Sequence, residues 1–219
     1  MHESKEFEKF LLLDAEKRER IITAAANEFV HGFKKASTDN IVREAGISKG
    51  LLFHYFGTKE RLYNFLIDHA VKILKQEYID LINERQPDIL DSIWQTSLLK
   101  QDLAVKHPGL FDFLTAAYVH ETKGGAPSEN LRRFVKMQQD AMQKVYANAN
   151  KELFRDDICP QEVMNIITWT MQGFASAKVA EQSGENPGAL ARENYERYLE
   201  ELQKTLNTLR KCFYREALK

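Results

Sequence analysis

Between residues 37 and 59 the chain gathers hydroxyls at Ser37, Thr38, Ser48 and Thr58, a phenol at Tyr55, ammonium groups at Lys49 and Lys59, and the imidazole of His54. These groups meet phosphate oxygens and base edges without making or breaking bonds. Covalent chemistry has no comparable constellation: no phosphate-cradling glycine loop and no nucleophile elbow are present. His107, His120 and Glu121 lack the i, i+4 histidine spacing or a cysteine companion that would suggest a metal, so surface or capping roles are the better reading. No metal, no cofactor and no catalytic residue is expected, and enzyme activity is the weaker class.

The elements that must hold these groups follow from the same segment. Ser37 suits the N-cap of a short helix carrying Ile41 and Ala45 four apart, and Gly46 can take the positive φ of a tight turn. Ile47 plugs the angle, and Ser48 caps a second helix whose Leu52 and Phe56 face inward. Lys49, Gly50, Leu51, Phe53, His54 and Tyr55 are then spread around a helix small enough for the major groove of B-DNA, about 12 Å wide. Each group has a plainer competitor: a cap hydroxyl caps its helix with or without DNA, His54 could pack, and Phe53 and Phe56 read as core.

Ile41-x-x-x-Ala45-Gly46-Ile47-Ser48-Lys49-Gly50-x-Leu52-Phe53-His54-Tyr55-Phe56-x-x-Lys59-Glu60-x-Leu62, with Arg20-Ile21-Ile22-x-Ala24-Ala25-x-x-x-Phe29 before it, resembles the TetR family of bacterial transcriptional regulators. The resemblance covers roughly residues 15 to 65; Val42 and Leu51 depart from the commonest pattern. It implies a three-helix DNA-binding head on a helical body that dimerises through its last two helices and binds small molecules. Carried over by position, Ser37, Thr38, Ser48, Lys49, Tyr55 and Lys59 would contact the DNA backbone, and Gly50, Leu51 and His54 would read the groove. Free amides at the helix starts would serve the same phosphates.

The rest of the chain reads as helices, with apolar residues recurring at three and four and no sustained alternation. The expected fold is all-α, with about nine helices: one from the Asp14 cap to Gly32, the two above, one from Thr58 past Leu81, and five more near 88–106, 109–121, 128–154, 160–182 and 188–216. Expected domains are an N-terminal arm (1–14), the DNA-binding head (15–65, helix-turn-helix 37–56) and the body (66–219). In the body, Trp94, Phe111, Tyr118 and Trp169 are the candidate walls of an effector cavity, against the alternative of ordinary core. Tyr195, Leu199, Leu202, Leu206, Leu209 and Phe213 form a heptad seam expected to pair two copies, unless it packs within its own chain.

Composition bounds these readings. With 219 residues, 43% hydrophobic and 29% charged, and only ten Gly and five Pro, the chain can bury a sizeable core. A net charge of -1 argues against bulk coating of nucleic acid, yet residues 31–65 carry six basic against three acidic side chains. Cys159 and Cys212 fit neither metal spacing nor a secretory framework. The expectation is a cytoplasmic homodimer, nucleoid-associated when DNA-bound, with no membrane partner. It would repress from a palindromic DNA operator and be released by a small-molecule effector, apolar or amphipathic. The alternative is a ligand-independent regulator acting in chromosome organisation or through a protein partner.

Overall fold

A computed structural model describes residues 7–107, 109–182 and 192–215. Ten α-helices occupy them: α1 (Glu8–Leu11), α2 (Ala15–Phe29), α3 (Thr38–Ala45), α4 (Lys49–Phe56), α5 (Lys59–Glu77), α6 (Ile89–Lys106), α7 (Leu110–Gly124), α8 (Glu129–Ala147), α9 (Pro160–Gln182) and α10 (Arg192–Phe213). Among the described residues there is no named strand, and Phe154 and Tyr214 form an isolated antiparallel bridge. The all-α expectation holds, and no described helix is long and apolar enough to cross a membrane.

Two compact units divide the chain: residues 1–76 with 103–135, and 77–102 with 136–219. The boundary expected near residue 65 falls inside α5, and α7 belongs to the first unit. The reason is aromatic packing. Phe113 of α7 is fully buried and meets Phe29 of α2 at 6.2 Å and Tyr63 of α5 at 5.6 Å. Each such ring contributes about 1.5–3 kcal/mol by leaving water. In the same unit α1 seats Phe10, fully buried, against Phe56 and Phe65 at 4.8 and 5.2 Å. Phe7 joins them, 4.9 Å from Phe65.

In the second unit, burial of Asp88 pushes its carboxyl up, but hydrogen bonds from Arg210 (2.6 Å) and Tyr214 (2.8 Å) outweigh this and hold it below the usual range. The same carboxylate accepts Leu90 N–H at 2.9 Å and so starts α6. Tyr195 donates to the Ser97 carbonyl at 3.4 Å. Two expected helices stop early. Tyr78, fully buried, leaves helical geometry at φ -134°, so α5 ends at Glu77 and Leu81 is 55% exposed. Asn150 donates its N–H to the Pro87 carbonyl at 2.8 Å and caps a short 3₁₀ turn, so α8 ends at Ala147 rather than near 154. The expected start near 188 lies outside the described residues; Cys159 and Cys212 are free and exposed.

Tyr195, Leu199, Leu202, Leu206 and Leu209 are all buried within the single chain, and Phe213 is half-buried. Their period of three and four matches a face that packs within the chain.

Candidate nucleic-acid interface

Local caps position the helix-turn-helix. Asp14 accepts Lys17 N–H at 2.8 Å to begin α2, Ser48 accepts Leu51 N–H at 3.2 Å to begin α4, and Thr58 accepts Arg61 N–H at 3.1 Å to begin α5. Ser37 caps α3 with a long 3.5 Å contact to Asn40 N–H. That weak cap has help that sequence reasoning missed: the Glu28 carboxylate accepts Ser37 N–H at 2.7 Å and the Asn40 amide at 3.3 Å. A glutamate near the end of one helix and an Asx residue in the first turn of the next was the only available signal.

The turn is a Schellman closure. Ile47 N–H reaches the Val42 carbonyl at 3.0 Å and Gly46 N–H the Arg43 carbonyl at 3.3 Å, with Gly46 at φ +66°. A β-carbon would be strained there. Ile41, Ala45, Leu52 and Phe56 are buried beneath the turn, each at most 1% exposed. Ile47 is half-buried.

With that side of α4 fixed inward, Ser48, Lys49, Gly50 and His54 stand exposed, while Leu51, Phe53 and Tyr55 are half-buried. Tyr55 meets Phe10 edge-on at 5.9 Å, so its ring is braced and its position set by α1. A β-carbon added at Gly50 would meet nothing within 4 Å. Folding therefore makes no steric demand for glycine at this place. Lys49 pairs with Asp39 of α3 at 2.8 Å, both largely exposed, so this ion pair is worth little and its ammonium is available to a phosphate.

Lys59 is less free than the sequence suggests. Its ammonium donates to the Ala36 carbonyl at 2.5 Å and lies 4.8 Å above the Phe33 ring, which ties the α2–α3 linker to α5. Ser37 and Thr38 are half-buried at the end of that linker. The nine residues expected at nucleic acid lie on α3, α4 and the first turn of α5 or, for Ser37 and Ser48, cap α3 and α4.

Of the expected effector walls, Phe111 and Tyr118 lie in the first unit and Trp94 and Trp169 in the second. Trp169 is 65% exposed and Tyr118 36% exposed. Trp94 and Phe111 are half-buried and belong to different units. Their spacing on amphipathic helices could not distinguish an interior ring from an outward one.

An exposed, hydroxyl-capped reading helix on a buried helix pair defines the class of helix-turn-helix DNA-binding proteins. Residues 21–65 match the family model of bacterial regulatory proteins, tetR family. Over 150 residues the chain is 27% identical to the HTH-type transcriptional repressor NicS of Pseudomonas putida, covering 65% of this chain and 68% of that one. Over 105 residues it is 30% identical to the nucleoid occlusion factor SlmA of Haemophilus influenzae, covering 46% of each. Its fold is similar to that of a TetR family regulator from Chloroflexus aurantiacus, with TM-score 0.59 at 18% identity over 95% of this chain and 98% of that one. It also matches the ketosteroid regulator KstR2 of Mycobacterium tuberculosis, with TM-score 0.56 at 17% identity over 93% and 97%. Residues 21–65, and the fold as a whole, are thus similar to those of TetR-type bacterial regulators.

Proposed function

We propose that this protein is a homodimeric repressor that binds an inverted-repeat operator and is released by a small ligand. The observation that carries the reading is the exposed run Ser48, Lys49, Gly50 and His54 at the start of α4. Ser37, Thr38, Ser48, Lys49, Tyr55 and Lys59 meet backbone phosphates, while Gly50 lets the helix approach the bases and Leu51 and His54 read them. The likeness to a repressor over 65% of the chain supports the negative sign of regulation.

The dimer forms through the outer face of α9. Ile166, Trp169, Gly173 and Ser176 follow one another at three and four, opposite the buried Val163 and Ile167, and Trp169 is 65% exposed. Small residues at 173 and 176 let a second helix approach, and an exposed indole is a typical interface anchor. Two copies related by a two-fold axis place their reading helices about one DNA turn apart, roughly 34–36 Å.

Selection from a random duplex library tests this. The expected outcome is enrichment of an inverted repeat by the full chain and none by Gly50→Leu. Failure of the wild-type protein to enrich any sequence would overturn the reading.

A further inference from the structure

Within the first unit, away from α4, lies a cavity of about 590 Å³ bordered by the α2–α3 linker, the start of α5 and the end of α7. Its size is that of a seat for a small organic molecule, typically about 300–1,000 Å³. Phe33 and Tyr63 stand in its wall as an edge-to-face pair, centroids 5.2 Å apart. Gly32, at φ +91°, brings the linker against the His120 imidazole, 3.2 Å from where a β-carbon would sit, so the two borders meet closely.

The charge around this apolar wall is lopsided. Lys34 and Lys35 of the linker and Lys123 of α7 border the cavity and are exposed, as are His31 and His120. None of the three lysines has an ion-pair partner among the described residues. Two carboxylates oppose them. Both oxygens of Glu121 are already occupied, Oε1 by the Tyr63 hydroxyl at 3.1 Å and Oε2 by Ser128 N–H at 2.6 Å. Burial, with the Glu121 carboxylate beside it, pushes the Tyr63 phenol above its ordinary range, which keeps it a donor. That leaves Glu60, exposed at the rim, against three ammonium groups.

We infer that this cavity binds a small arylcarboxylate, its ring against Phe33 and Tyr63 and its carboxylate on Lys35 and Lys123. A flat ring suits the aromatic wall, and one negative charge suits the excess of lysine. The seat also touches the device that positions α3, because Phe33 shares the Lys59 ammonium with the Ala36 carbonyl, one residue before the Ser37 cap. An effector role for this ligand rests on the repressor reading above; the binding itself does not.

Calorimetric titration of the full chain with 1-naphthoate and with its neutral counterpart 1-naphthalenemethanol tests the site. Naphthoate should bind at least about tenfold more tightly than the alcohol, the worth of one charge-assisted contact. The double variant Lys35→Ala, Lys123→Ala, both exposed and neutral to folding, should lose that preference while its helical circular dichroism and its alcohol binding stay unchanged. Equal affinity for the two compounds, no binding of either, or a double variant that still prefers naphthoate would overturn the site. Saturating naphthoate should also weaken operator binding by about 5- to 150-fold in the wild type and not in the double variant. Naphthoate binding with unchanged DNA affinity would overturn the effector role, whereas a protein that takes naphthoate and binds no DNA would overturn the repressor reading and leave the site standing.

Discussion

Helices α4 and α9 each turn one face to solvent, and the two faces differ in kind. α4 shows Ser48, Lys49, Gly50 and His54, a short polar run with a gap where a side chain could be. α9 shows Trp169 with Gly173, Ala175 and Ser176, an indole among small residues. The first offers donors and charge to a polyanion, so its binding should fall steeply with salt. The second offers apolar area, whose association is far less sensitive to ionic strength. A helix face left uncovered by its own chain is therefore informative only together with its chemistry.

The hardest way to break this contrast is Gly50→Leu. Because the position is open, the fold should survive with its circular dichroism intact, while operator affinity drops to that for unrelated DNA, a loss of about 10³-fold or more. Next, Trp169→Glu should raise the dimer dissociation constant by at least about 30-fold, the effect of losing one interface anchor, read as monomer by light scattering. Leu202→Glu sharpens the same point: Leu202 is 1% exposed within its own chain, so this variant should unfold rather than dissociate.

A smaller effect comes from the interior of the unit that carries α4. Burial, then the positive fields of His107, Lys72 and Arg18, lower the His69 pKa from 6.5 to about 4. The unfolded chain thus binds the extra proton first, and stability present above pH 6.5 is lost as pH falls toward 4. Urea denaturation should show a loss of about 2 kcal/mol between pH 7 and pH 5 that His69→Gln removes. Smallest is Lys49→Ala, which should reduce the salt slope of DNA binding by about 1 and leave stability nearly unchanged. Lys59→Ala should show the same change in slope together with a destabilisation of about 1 kcal/mol from the lost Ala36 contact, so the two lysines separate in a thermal melt.

The head was legible because its signals are local. Ser37, Gly46, Ser48 and Thr58 act on backbone groups within a few residues, and the structure puts caps and the left-handed turn where their chemistry requires. Beyond the head, period alone was ambiguous. The 3-4 spacing of Tyr195 to Leu209 describes a buried face and says nothing of whose side chains bury it. Trp169 and Ile167 sit two residues apart, one exposed and one fully buried, and only the tertiary packing decides which faces inward. The cluster of Phe7 and Phe10 with Phe65 and the Glu28 clamp on α3 are long-range contacts without a sequence signature.

The most direct test of the central claim is the affinity of the full chain for its selected inverted repeat and for an unrelated duplex, measured by fluorescence anisotropy across a salt series. Binding to the repeat should be about 10³-fold or more tighter than to the unrelated duplex, with log affinity falling linearly with log salt for both. Equal affinity for the two duplexes at every salt concentration would contradict it.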